Sequence, residues 1–305
     1  MKSFSGKIAV ITGGGTGIGR ALAKALIAEG CDVAMCDVST DNMEETIALC
    51  QVDAPQGVRI AGFRCDVSNR DEMNAFADQV QTTFETDHIN LLFNNAGVIG
   101  GGSFVAEDEA HWERTFNVCW GGVYNGSRAF LPLLVASQEG HIVNTSSING
   151  FWASMGAKAA HTAYSSAKFA VKGFTEALIT DLRIHAPHVK ASVVMPGHIG
   201  TSIMLNGTGA TGDNGRRTVA RMFGMDDDDL SDEEIAAVTE TAGAAFRDEA
   251  PTTVEQAVGI ILDAVKAERW RVLIGEDAVA LDALVRAHPE AAYEPDFFTL
   301  KDVAP

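Results

Sequence analysis

Short apolar, β-branched runs alternate along the chain with longer stretches whose apolar residues recur every three or four positions. The short runs lie at residues 7–12, 32–37, 58–65, 89–93, 141–145, 189–195 and 271–274. The stretches of helical period begin near Gly17, Asp41, Arg70, Glu107 and Tyr164. Runs apolar on both faces suit strands buried on both sides, and strict strand–helix alternation suits a parallel sheet flanked by helices. The pattern predicts an α/β fold: a doubly wound parallel sheet of about seven strands with helices on both faces, forming one domain over residues 1–305.

The alternation breaks once. Between the sixth and seventh runs lies a long segment, residues 200–252, with a Gly/Thr/Asn-rich start (206–215), an acidic run (226–229) and a helix candidate (232–247). An insertion of this length in a compact domain is functional or mobile, and its place predicts a lid. The four adjacent carboxylates cannot converge on one ion, so the run reads as a solvated patch or helix start. Beyond Gly275 an extension covers residues 276–305, with a helix expected over 278–287. Its aromatic end covers a neighbour, covers the chain's own substrate mouth, or frays.

Composition narrows the partners. Hydrophobic residues make up 46% and charged residues 21% of 305 positions, enough for a sizeable core. A net charge of −18 repels phosphate backbones, so no nucleic-acid partner is expected. The five cysteines, Cys31, Cys36, Cys50, Cys65 and Cys119, form no C-x-x-C pair and no metal spacing with histidine. Reduced core thiols, no metal and a cytoplasmic location are the expectation. The apolar run 8–11 is too short for a secretory signal, and no window has membrane-spanning length.

The first strand runs into Thr12-Gly13-Gly14-Gly15-Thr16-Gly17-Ile18-Gly19, and a helix follows at once. Glycines let the backbone turn sharply and approach a pyrophosphate, and the helix start offers free N–H groups. This is a Rossmann-type dinucleotide loop, with Gly13, Thr16, Gly17 and Ile18 as its candidate contacts. Asp37 ends the second strand, where a carboxylate accepts hydrogen bonds from the adenosine ribose and repels a 2′-phosphate. That favours NAD over NADP. No basic residue occupies residues 14–16 or Val38; Arg20 is the one candidate on the other side. Asp66 and Val67, ending the third strand, would flank the adenine.

Tyr164 and Lys168 stand four apart, on one face of a helix. A phenol is a poor base at neutral pH, and a nearby ammonium favours its ionised form. Tyr164 could then trade a proton with a substrate hydroxyl or carbonyl. Upstream, the strand at 141–145 ends in Ser146-Ser147. Ser147, one step further out, is the choice for polarising a substrate oxygen; Ser146 reads as a packing or backbone-bonding residue.

Taken in order, Thr12 to Gly19, Asp66-Val67, Asn94-Asn95-Ala96-Gly97, Asn117, Ser147, Tyr164 with Lys168, and Pro196-Gly197 followed by Thr201 resemble the motifs of the short-chain dehydrogenase/reductase family. The resemblance implies that Tyr164 is the acid/base and that Lys168 lowers its pKa and holds the nicotinamide ribose. It implies that Ser147 orients the substrate oxygen and that Asn117 holds a water linking Lys168 to solvent. Asn95, Ala96 and Gly97 would line the adenosine side, and Pro196, Ile199 and Thr201 would hold the nicotinamide. It further implies a homo-oligomer, tetramer or dimer. The stretch 151–163, with Trp152, Met155, Lys158 and His161, is longer than in the simplest members and should border the substrate.

The sequence therefore reads as an NAD-dependent oxidoreductase acting on an alcohol/ketone pair. Two alternatives stay open: an NADPH-dependent 3-oxoacyl-thioester reductase, disfavoured by Asp37 and the acidity, and a non-catalytic nucleotide-binding scaffold, disfavoured by the complete Asn117, Ser147, Tyr164, Lys168 set.

Overall fold

A computed structural model describes residues 1–106, 108–155, 159–206, 231–295 and 297. Seven strands form its centre: β1 (Ile8–Thr12), β2 (Asp32–Asp37), β3 (Ile60–Arg64), β4 (Leu91–Asn94), β5 (Gly140–Thr145), β6 (Val189–Pro196) and β7 (Arg271–Ile274). All neighbouring pairs are parallel, in the order β3-β2-β1-β4-β5-β6-β7. The predicted doubly wound sheet is thus present. Its order reverses between β1 and β4, and the crevice outside the carboxyl ends of such a sheet is where ligands bind.

The helices are α1 (Gly17–Ala28), α2 (Thr40–Gln51), α3 (Arg70–Phe84), α4 (Glu109–Phe116), α5 (Gly122–Ala136), α6 (Thr162–His185), α7 (Asp232–Asp248), α8 (Val254–Lys266) and α9 (Glu276–Ala287). Two apolar cores lie on opposite faces of the sheet. One joins Leu22 and Leu26 of α1 to Ile261 and Val265 of α8; the other joins Phe76 of α3, Phe130 of α5 and Leu178 of α6. Strand residues Ile11 and Val10 point into the first and second core respectively, as the two-residue strand period requires.

Two helical expectations needed correction. The helical stretch expected from near Glu107 begins at Glu109 and widens into a π-helical turn, Asn117–Gly121, before α5. Helix α8 went unread, although Thr253 and Gln256 form a reciprocal capping box at its start. Of the lid segment, residues 207–230, including the acidic run, lie outside the described residues, as do Lys158 and residues 298–305. Among the described residues, no helix is long and apolar enough to cross a membrane.

Candidate active site at the carboxyl ends of the strands

The loop after β1 is shaped by what its glycines leave out. Gly13 has φ +67°, and a Cβ there would come 2.8 Å from Ala96 Cα. A Cβ at Gly15 would stand 2.8 Å from Asp37 Oδ2. Asn95 ties the loop down: its backbone N–H donates to Thr12 Oγ1 at 3.0 Å and its amide to Thr12 O at 3.2 Å. Ala96 N–H shares Thr12 Oγ1 at 3.1 Å. Thr16 makes no side-chain cap on α1, and the first turn carries no acidic residue, so the N–H groups of Gly17 and Ile18 keep the positive end of the helix free. A glycine cradle facing an uncapped helix start fits a dinucleotide pyrophosphate.

Asp37 sits half-buried at the end of β2. Its Oδ2 accepts from Gly15 N–H at 3.0 Å and its Oδ1 from Ser39 N–H at 3.1 Å. Each carboxylate oxygen retains acceptor capacity for a sugar hydroxyl. Arg20 is committed elsewhere. Its guanidinium donates to Gly15 O at 2.7 Å and to Thr46 Oγ1 at 3.0 Å, and pairs with Glu45 at 2.6 Å. Asp66 caps its own turn by accepting from Ser68 N–H and Oγ. Val67, beside it, is buried against α5, where a Cβ at Gly122 would collide with it at 2.7 Å.

On the far side of β4 stand Ser147, Tyr164 and Lys168, all at least nine-tenths buried. Lys168 Nζ donates to Thr145 O at 2.8 Å and lies 5.4 Å from the Tyr164 ring centroid. Ser146 Oγ donates to Lys168 O at 2.8 Å, leaving Ser147 as the serine that hydrogen-bonds the phenol. Burial dominates the electrostatics. It pushes the Tyr164 phenol above its ordinary value, the Cys119 sulfur adds to that, and the bond from Ser147 pulls the other way. The same burial pulls the Lys168 ammonium below its ordinary range. Lys168 does not supply the expected lowering of the phenol; desolvation sets its direction, and the lowering comes from Ser147.

Asn117 opens the π-helical turn as an exposed residue. The residue of that turn facing Tyr164 is Cys119, fully buried with it and donating to Val98 O at 3.2 Å. A Cβ at Gly97 would lie 3.6 Å from Lys168 Nζ and 3.8 Å from Cys119 Sγ, so Gly97 holds that corner open.

The chain after β6 closes the crevice. Thr201 faces the glycine loop, its Cγ2 3.4 Å from where a Gly17 Cβ would stand, and Asn206 Nδ2 reaches Thr16 Oγ1 at 3.2 Å. Ile199 is buried, and its segment pairs with Thr252. Pro196 ends β6 beside Gly197, which lacks room for a side chain because the carboxylate of Asp277 stands against it. Asp277 Oδ2 accepts from His198 N–H at 2.6 Å. Sequence reading missed Asp277; the left-handed Gly275 (φ +99°) before an acidic helix start was its only signal. The C-terminal extension folds back on its own chain. Trp152 Nε1 donates to Ala292 O at 2.6 Å and Ala153 N–H to Tyr293 Oη at 3.3 Å, just beyond Ser147.

Comparison with known proteins agrees with this arrangement. The family model for short chain dehydrogenase matches residues 7–210. A Mycobacterium tuberculosis protein that carries the name oxidoreductase SadH is 38% identical over 286 residues, covering 94% of this chain and 92% of its own. Mouse estradiol 17-beta-dehydrogenase 11 is 32% identical over 212 residues, covering 67% and 66%. The solved structure of a short chain dehydrogenase/reductase from Burkholderia phymatum in complex with NAD superposes with TM-score 0.79 at 27% identity, covering 97% of this chain and 98% of that one. A metagenomic short-chain oxidoreductase in complex with NADP superposes with TM-score 0.55 at 25% identity over 79% of this chain and 91% of its own. With the sheet, the glycine loop and the matched span in agreement, this chain belongs to the short-chain dehydrogenase/reductase family of NAD(P)-binding oxidoreductases.

Proposed function

We propose that the chain moves a hydride between NAD(H) and an alcohol/ketone pair, with Tyr164 as the acid/base. The observation that carries this is the buried grouping of Ser147, Tyr164 and Lys168 beside the glycine loop. When bound, the nicotinamide supplies the hydride acceptor or donor. Tyr164 holds a proton on its phenol, since burial keeps it neutral, and so is ready to protonate a carbonyl oxygen. Ser147 donates to the same oxygen and orients it. Lys168, fixed by Thr145 O, holds a cation near the nicotinamide ribose and steadies the phenolate once it forms.

Asp37 and Arg20 support NAD over NADP. A 2′-phosphate would meet the carboxylate of Asp37, and Arg20 is already satisfied by Gly15, Thr46 and Glu45. Asp66, Val67, Asn95, Ala96 and Gly97 would border the adenosine side, and Pro196, Ile199 and Thr201 the nicotinamide. A lid over the substrate is expected of the segment 200–252, whose described start reaches the glycine loop through Asn206. A homotetramer in the cytoplasm completes the reading, the latter supported by five buried, unpaired cysteines.

The test is a panel of secondary alcohols and ketones, each with NAD(H) and NADP(H), followed at the reduced nicotinamide absorbance. Turnover with NAD(H) is expected. Turnover confined to NADPH and acyl thioesters would replace the proposal with the thioester reductase reading.

A further inference from the structure

His161 immediately precedes α6, three residues before Tyr164. Its imidazole is 3% exposed and lies flat on the phenol ring, centroids 4.6 Å apart and planes at 16°. Neither ring nitrogen has a hydrogen-bond partner among the described residues. The position is held firmly. Thr162 and Ala163 N–H donate to Gly102 O and Gly101 O, both at 2.9 Å, and Trp112 Nε1 donates to Thr162 Oγ1 at 3.0 Å. Gly101 has φ +62° and no room for a Cβ against Ala163, so the loop after β4 and the start of α6 fit at close range.

Buried polar groups are nearly always paired, and an unpaired one is destabilising. A phenylalanine would stack on Tyr164 without that cost. The orphan nitrogens therefore call for a partner that arrives with the ligand.

We infer that His161 is a specificity-determining residue of the substrate pocket, taking a second oxygen function, hydroxyl or keto, carried near the reacting carbon of the substrate. This rests on the dehydrogenase reading above. Burial holds the imidazole neutral, its pKa pulled down to about 3. A neutral imidazole offers one donor and one acceptor, which matches a hydroxyl or carbonyl. A carboxylate is the poorer match, and the chain's net charge of −18 repels it from a distance. The substrate class is thus vicinal diols, hydroxyketones and diketones rather than plain secondary alcohols.

Matched pairs test this: cyclohexanol against its vicinal diol, and acetophenone against its α-hydroxy derivative. Each is measured by kcat/KM, and by calorimetric titration onto the protein saturated with cofactor, in the parent, His161→Phe and His161→Asn. A hydrogen bond to an otherwise orphaned group should give the oxygenated partner an advantage of about tenfold or more. His161→Phe, which keeps the stacking, should cut kcat/KM and affinity for the oxygenated partner about tenfold more than for the plain alcohol or ketone, and His161→Asn should restore part of that difference. No preference in the parent, or an equal loss for both members of a pair in His161→Phe, overturns the inference and makes His161 a packing residue. The titration decides the point even without turnover, and absence of turnover with every alcohol and ketone would fall on the dehydrogenase reading instead.

Discussion

Adding one methyl group at Gly19 should damage this protein, while the same methyl at Gly259 should strengthen it. Both glycines sit in helices, α1 and α8, where alanine is worth about 1 kcal/mol through propensity alone. At Gly259 a Cβ would meet nothing within 4 Å. At Gly19 it would lie 2.8 Å from the carbonyl carbon of Gly13, 2.9 Å from Asn95 Nδ2, and closer still to Gly13 O. Those atoms cannot step aside, because Asn95 is bonded to Thr12 on its other side. Overpacking of this kind costs about 1–3 kcal/mol, so Gly19→Ala should lose a net of up to ~2 kcal/mol. Gly259→Ala should gain ~0.5–1 kcal/mol. In a thermal melt without ligand the two midpoints should move in opposite directions, by roughly 2–4 °C per kcal/mol. The displaced Gly13 carbonyl also deforms the cradle, so NADH binding followed by nicotinamide fluorescence should weaken about tenfold or more in Gly19→Ala alone. A raised midpoint with parental NADH affinity in Gly19→Ala would refute both the packing argument and the assignment of the loop.

Tyr164→Phe should keep NADH binding and lose about 10²–10⁴-fold in kcat, measured by steady-state turnover. Because burial raises the phenol above its ordinary value, the phenolate is scarce at neutral pH and grows as pH rises. Alcohol oxidation should therefore climb with pH while carbonyl reduction does not, and a flat oxidation profile would count against Tyr164 as base. Cys119→Leu should depress turnover by crowding Tyr164, whereas Asn117→Ala, at an exposed side chain, should leave it within about twofold; a large loss in Asn117→Ala would instead support its expected water-holding role. Asp37→Ala should narrow the NAD(H) over NADP(H) preference in measured dissociation constants, with some loss for both because Gly15 and Ser39 N–H lose their acceptor. Trp152→Phe should cost about 1–3 kcal/mol by orphaning the buried Ala292 carbonyl, and limited proteolysis should then cut the tail near Tyr293 faster.

The parts legible in the sequence are those written in short range. Thr12 to Gly19 announces a strand, a turn and a helix start within eight residues, and Tyr164 with Lys168 needs only one helical turn to meet. The different directions of Ser146 and Ser147 were also readable, because one step along a strand exit turns the side chain. The π turn at Asn117 was not, because α-helical spacing cannot reveal one. The wider turn from Asn117 to Gly121 shifts the register, carrying Asn117 outward and Cys119 inward. The role of Asp277 was hidden for another reason: its partner His198 stands 79 residues away, and nothing local in either sequence names the other. The stacking of His161 on Tyr164 depends on how the Gly101–Gly102 carbonyls fix the start of α6, a contact made only in the folded chain.

The bond between Trp152 and Ala292 joins residues 140 apart, and it carries a consequence for the order in which the molecule is completed on the ribosome. Strands β1 to β4 and the glycine loop are all in hand once Asn94 has emerged, so the nucleotide half can assemble early. The wall behind Ser147 waits until Ala292 has been made and has swung back. A polypeptide stopped or clipped short of Ala292 keeps the glycine loop but leaves Trp152 Nε1 without its acceptor, so the chain beyond Ser147 loses its tie.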